Sequence, residues 1–311
     1  MTLAVAALSH APSFENVDPG GTTRAEIQAA FDEVKAFVAD YKPDVVVIFG
    51  PDHFHGHLYS LICPWVVGAK ASSIGDYNTT AGPLPVDTEL ARTLHEMVLG
   101  QGIDIGRSER MTVDHGVVQV LDFIFGKHFT QPIVPVFVNS LGLPLTPMYR
   151  VRLMGEAFGR AAQQLDKKVL FFGSGGISHN PPIPRFEGAS PEVQERLTEF
   201  VATPEQIRAR EQEIITGIQA IADGKASTDP LNEEWDEMLL NVFRSGDLTA
   251  VDHWDNEQFI TDGGSAAHEM RSWIAAYSAL STAGPYKFEV DHYWAVRNWA
   301  GGFAVQAAIT K

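Results

Sequence analysis

Residues 45–49, Val45-Val46-Val47-Ile48-Phe49, form an unbroken apolar run between Pro43 and Gly50-Pro51. Successive side chains of a strand point to opposite faces, so a run without alternation needs cover on both. Residues 3–8, 132–138 and 169–172 repeat the pattern. Between the first two runs, Ile27, Phe31, Val34 and Val38 recur at spacings of three and four, which predicts a helix over residues 22–41. Thr22 or Thr23 can cap it, and Pro43 stops it. Strand, helix, strand with a right-handed crossover is the signature of an α/β fold.

Further elements follow the same logic. Helices are expected over residues 87–99, from Asp114-His115-Gly116 onward, and over residues 149–165, 204–222 and 235–243. Others should start at Asn256 and near Gly263. Residues 58–65 read as a strand, with a shorter one near residues 103–106. Residues 187–232 are more polar than the rest and suggest a helical insertion or lid within one domain spanning residues 1–311. The final segment, with Tyr293, Trp294, Trp299 and Phe303, is aromatic enough to pack back onto the body or onto a neighbouring subunit.

A net charge of −16 argues against nucleic acid or an anionic membrane as partner. No apolar run approaches the roughly 18 residues of a membrane span. The apolar start lacks a basic region before it and leads into His10, so it reads as a strand rather than a signal peptide. Cys63 is the only cysteine, which excludes an intramolecular disulfide and fits a cytoplasmic setting. It lies in an apolar run and reads as core.

Four histidines sit where regular elements break: His10, His53, His115 and His179. Three follow apolar strand runs. Open α/β sheets bind ligands at the carboxyl ends of their strands, so these positions point to one crevice. Two imidazoles and a carboxylate leave open positions on a metal and suit non-haem Fe(II). His10 and His53 are the best ligand pair, and Glu269 is the leading carboxylate. Glu269 can also be read as an acid complementing a helix dipole. His115 and His179 look like proton-transfer groups; the plainer readings are a helix-start residue and a loop residue held by prolines. His53, His55 and His57 would share a face on a strand, whereas a helix would align only His53 and His57. His53-x-His55 also matches a zinc hydrolase pair. Ser174-Gly175-Gly176 matches neither a P-loop nor a dinucleotide fingerprint.

Taken together, Leu8-Ser9-His10-Ala11-Pro12, Phe49-Gly50-Pro51-Asp52-His53, Val113-Asp114-His115-Gly116, residues 173–179 and His268-Glu269 resemble the class III (type II) extradiol catechol dioxygenases. The resemblance is strongest to the branch acting on 2,3-dihydroxyphenylpropionate and runs almost end to end. It implies a three-layer α/β/α domain with a mixed central sheet, in a homo-oligomer. It implies Fe(II) on His10, His53 and Glu269, with His115 as proton donor and His179 as proton acceptor. Its substrates would be a catechol and O2. His57 and Asn139 are secondary candidates for supporting the site or touching substrate. The chain departs from that branch around residues 184–201 and 291–299, which leaves the ring substituent open. Arg185, Arg271 and Arg297 are each candidates to bind a propionate there. The alternatives are a zinc-dependent hydrolase and a non-catalytic metal-binding relative.

Overall fold

The computed structural model describes residues 2–199, 202–228 and 231–311. Four parallel strands form its centre: β1 (Ala4–Leu8), β9 (Val169–Ser174), β2 (Val45–Gly50) and β8 (Ile133–Val138), adjacent in that order. Every residue of the four is buried. At about 1.5–3 kcal/mol for each large aliphatic or aromatic side chain taken fully out of water, these runs carry much of the driving force for folding.

The sheet has eight strands in the order β10-β11-β1-β9-β2-β8-β3-β6. β3 (Trp65–Gly68) runs antiparallel to β8, and β6 (Gly106–Ser108) is parallel to β3. On the other side, β11 (Gly301–Thr310) is antiparallel to β1 and to β10 (Tyr286–Val296). A second sheet contains β4 (Ala71–Ser73), β5 (Gly82–Pro83) and β7 (Met111–Val113).

Alternate residues of the central strands feed two apolar layers. Val5, Val47, Phe49 and Phe171 belong to one core, with α2 (Thr88–Leu99), α4 (Met148–Ala162), α7 (Glu233–Ser245) and α9 (Arg271–Ser281) over it. Ala6, Val46, Ile48 and Phe172 belong to the other, beneath α1 (Thr23–Tyr41) and α3 (His115–Phe125). This is the expected three-layer α/β/α arrangement with a mixed sheet. α5 (Pro191–Thr198) accepts from Tyr59 N–H through Leu197 O, α6 (Pro204–Ala222) accepts from Tyr77 N–H through the Glu211 carboxylate, and α8 (Asn256–Gly263) accepts from His179 N–H through Gly263 O, which ties all three to loops at the strand ends. Within the polar segment 187–232, residues 200–201 and 229–230 lie outside the described residues. No helix among the described residues is long and apolar enough to cross a membrane.

Two readings of the sequence need correction. Residues 58–64 are not a strand; β3 begins only at Trp65. The Asp52 carboxylate accepts the backbone N–H groups of His55, Gly56 and His57 at 3.0 Å each, curling this stretch into a turn. Tyr59 N–H then bonds to Leu197 O, outside any sheet. The helix assigned from Gly263 is interrupted: a 3-10 turn, Ala267–Met270, precedes α9. The aromatic terminal segment does pack back onto the body, as strands β10 and β11 of the main sheet.

Candidate active site

His10 lies two residues beyond β1, His53 three beyond β2 and His179 five beyond β9, on three adjacent parallel strands. Glu269 reaches the same place from the 3-10 turn before α9. Its Oε2 lies 3.3 Å from His10 Nε2, and its Oε1 lies 3.4 Å from both His53 Nε2 and His179 Nε2. Gly176 N–H donates to Oε2 at 2.8 Å and fixes the carboxylate. The glycines here have a steric cause. A Cβ on Gly175 would meet Glu269 Cβ at 2.8 Å, and one on Gly176 would meet the His179 ring at 2.7 Å.

The far nitrogen of each ring is also held. His53 Nδ1 faces Asp114 Oδ2 at 3.1 Å. The carboxylate can only accept, so Nδ1 carries the proton; Nε2 faces a second carboxylate, that of Glu269, and becomes available as a ligand in the neutral ring. His10 Nδ1 pairs with Ser174 Oγ at 3.0 Å. His179 Nδ1 donates to Ile177 O at 2.9 Å, which likewise leaves Nε2 as the acceptor in the neutral ring.

His115 opens α3, capped by Asp114 through Gly116 N–H at 2.9 Å. Its Nδ1 meets Asp76 Oδ2 at 2.5 Å, and its backbone N–H donates to Asp76 Oδ1. The His115 ring stacks on His53 at 4.3 Å and meets His10 edge-on at 5.3 Å. Ring nitrogens of His10, His53 and His115 lie within 4.8 Å of one another, so all three face one small space. Asp76 is aimed by a strained turn: Tyr77 and Asn78 both occupy the left-handed region, at φ 47° and 60°.

The electrostatics favour a cation. Burial alone would raise the Glu269 carboxyl, but His10 and His179 hold it well below its usual range. Asp114 is likewise held low against its burial, chiefly by His53. Burial pushes His10 down to about 3, more than Glu269 can offset, so this ring is neutral as a metal ligand must be. Burial opposes a charge on His53 and His179 too, yet Asp114 and Glu269 raise the first, and Glu269 the second, above the ordinary value. The buried negative charge that favours protons on His53 and His179 would favour a divalent cation in their place, which frees the Nε2 lone pairs as ligands. Two other acid–histidine groups, Asp52-His55-Asp114 and Asp76-Asp114-His115, are close enough to hold an ion. In both, the carboxylates are already engaged by backbone N–H groups.

The remaining candidates sit differently. The His57 ring lies flat on Phe137 at 3.7 Å, and its buried Nε2 has no hydrogen-bond partner among the described residues. Asn139 has both ends of its amide on the backbone of Gly142, closing a loop after β8. His53-x-His55 is neither strand nor helix, and both rings turn Nδ1 to Asp114 Oδ2. Residues adjacent in sequence indeed do not pair: Asp114 serves His53, while Asp76 serves His115.

Sequence reasoning missed Asp76, Asp114 in this role, and Asp236. The fully buried Asp236 accepts from Ser178 N–H at 2.9 Å, Ser178 O–H at 2.7 Å and Tyr293 O–H at 2.6 Å. It thereby ties the residue before His179 to α7 and β10. Asp76 and Asp236 lie 39 and 58 residues from their partners, and no local pattern marks them.

Residues 4–307 match the family described as the catalytic LigB subunit of aromatic ring-opening dioxygenase. A relative from Rhodococcus sp, named 2,3-dihydroxyphenylpropionate/2,3-dihydroxicinnamic acid 1,2-dioxygenase, is 47% identical over 99% of both chains. Proteins of the same name from Cupriavidus pinatubonensis and Mycolicibacterium paratuberculosis are 42% and 41% identical, covering at least 98% of each chain. An uncharacterized protein from Escherichia coli K12 shares the fold at a TM-score of 0.50 and 16% identity, over 99% of this chain and 100% of that one. The chain therefore belongs to the LigB family of aromatic ring-opening dioxygenases.

Proposed function

We propose that the protein is an extradiol dioxygenase that opens the ring of a catechol such as 2,3-dihydroxyphenylpropionate with O2, using Fe(II) held by His10, His53 and Glu269. The observation that carries this reading is the convergence of His10 Nε2 and His53 Nε2 on the buried Glu269 carboxylate, within 3.4 Å. The names and full-length coverage of the relatives support the substrate class. Bound there, Fe(II) would supply open positions at which catechol and O2 meet and exchange electrons.

His179 Nε2 is the proton acceptor, taking a proton from a catechol hydroxyl. Its Nδ1–H, held by Ile177 O, fixes the tautomer that can do so. His115 is the proton donor and delivers a proton from Nε2 to the oxygen added as the ring opens. Asp76, on Nδ1, orients the ring and supplies the counter-charge while both nitrogens carry protons. The protein would act in the cytoplasm as a homo-oligomer of single-domain chains, with α5 and α6 as a cover over the site.

The test is direct. Fe(II)-loaded protein given 2,3-dihydroxyphenylpropionate in air should form a yellow ring-opened product, and should form none without O2. His179→Gln and His115→Gln should keep their iron but lose about 10²-fold or more in rate. Turnover without O2, or a preference for Zn(II), would point to the hydrolase reading instead.

A further inference from the structure

His179 stands on a loop five residues beyond β9, and packing does not confine it on every side. A cavity of about 400 Å³ is lined by Ser178, His179 and Asn180 together with Ile260, Gly263 and Gly264 at the end of α8. Close packing resists displacement only where atoms touch, so a residue beside a void must be held by other means.

The hold is polar, and it is centred on Ser178. The Ser178 N–H donates to Asp236 Oδ1 at 2.9 Å and its O–H to Asp236 Oδ2 at 2.7 Å, while its carbonyl accepts from Gly302 N–H at 2.9 Å. All three polar groups of the residue before His179 are therefore engaged. Asp236 is itself fixed: it is fully buried on α7, and its Oδ2 accepts a second O–H, from Tyr293 of β10, at 2.6 Å. A Cβ on Gly302 would overlap the Asp236 carboxylate, so the glycine permits this approach. His179 N–H also donates to Gly263 O at 2.9 Å, but Gly263 lines the cavity, whereas the tie to Asp236 comes from the body of the fold.

These bonds set a direction as well as a place. Ile177 O holds His179 Nδ1 at 2.9 Å, and Nε2 lies 3.4 Å from Glu269 Oε1. A turn of the Ser178–His179 peptide would swing Nε2 away while leaving His10, His53 and Glu269 where they are. A carboxylate suits the post because its two oxygens accept all three donors; an amide has only one accepting oxygen.

We infer that Asp236 is the positioning residue of His179: through Ser178 it fixes the ring that takes up the proton, and Tyr293 in turn fixes Asp236. The catalytic part rests on the ring-cleavage reading. The test uses Fe(II)-loaded wild type, Asp236→Asn, Tyr293→Phe, His179→Gln and the double variant of Asp236→Asn with His179→Gln, each given 2,3-dihydroxyphenylpropionate. Asp236→Asn should lower kcat by ~10–100-fold with KM changed less than about twofold, since misplacing a reacting group by about 1 Å costs up to roughly 10²-fold. Tyr293→Phe removes one tie and leaves the carboxylate, and should lower kcat ~3–10-fold. In the His179→Gln background, Asp236→Asn should cost less than about twofold more, because a residue that acts only through His179 then has nothing to position. Equal losses in both backgrounds, or a loss carried by KM alone, would overturn the inference. Hydrogen exchange of the same proteins without substrate reads the position itself. Amides of residues 176–180 should exchange at least ~10-fold faster in Asp236→Asn, or in Tyr293→Phe should Asp236→Asn not fold, with β1, β2 and β9 unchanged. That result supports the positioning role even if no catechol is cleaved. Unchanged exchange there counts against it whatever the turnover.

Discussion

The strand ends and their proposed cover, α5 and α6, are built in opposite ways. At the strand ends, His10, Glu269 and Asp114 are almost fully buried, and each is fixed by partners from distant parts of the chain. In the cover, α6 has no buried residue and α5 has only Leu197. α6 begins with a capping box between Thr203 and Gln206, with Pro204 in its first turn, and packs only the partly buried Ile215, Ile218 and Ala222 against the core. The difference separates tasks. The groups proposed to hold a metal and move protons sit in the rigid core, where small displacements are resisted. The proposed cover is a thin layer that can change without disturbing that core.

The largest expected effect tests the strand-end side. Glu269→Ala should abolish stoichiometric iron and reduce ring cleavage to background, whereas His115→Gln should keep iron, as metal analysis of the purified proteins would show. The motive is the shared approach of His10 and His53 to Glu269. His115 lies close enough to be a third imidazole ligand, so iron retained in Glu269→Ala and lost in His115→Gln would reverse the assignment.

A smaller effect tests the cover. Leu197→Ala removes the only side chain that α5 buries. It should raise KM roughly tenfold and cost about 2–3 kcal/mol of local packing, with iron content unchanged. Loss of iron in this variant would mean that cover and core are one unit and would break the comparison.

The smallest effect concerns pH. His268 accepts from Arg271 Nε at Nδ1, so its Nε2–H donates to Asn256 O; burial and the adjacent guanidinium push it down to about 3. Its folded value lies below its unfolded one. The stability it contributes is therefore present above about pH 6.5 and is lost as pH falls from there towards 3, because the unfolded chain binds the proton first. Denaturant unfolding of His268→Gln between pH 7 and 5 should show a shallower decline than wild type, by on the order of 1 kcal/mol. Parallel declines would remove this histidine from the account.

Much of the central sheet was legible because its strands are uniformly apolar, and the bounds of α1, α2 and α6 followed from spacing, caps and prolines. Residues 58–64 misled because Leu58, Leu61 and Ile62 suggest a strand, while the force that bends the chain is the side chain of Asp52 gathering three N–H groups. The C-terminal aromatics announced burial but not their pairing with β1. In the site, the histidines stood out at strand ends; their roles came from family resemblance. Asp76, Asp114 and Asp236 stayed hidden because ordinary acids acquire meaning only when the fold brings them to a histidine or its loop. Arg271 looked available as a lone arginine near Glu269, and only the structure shows its donors engaged by His268, Thr146 O and Asn256 Oδ1.

β1 lies between β9 and β11, and Ser9 bonds to Ala304 across a separation of 295 residues. Closing such a span is entropically slow, because the long-range pairing comes only after the loop-closure cost has been met. β1 also pairs with β9, and Ser174 at the end of β9 holds His10 Nδ1. His10 is therefore placed from two sides, by the parallel core and by a strand drawn from the far end of the sequence, so a change in β10 or β11 can reach the metal-facing ring without touching any residue of the site.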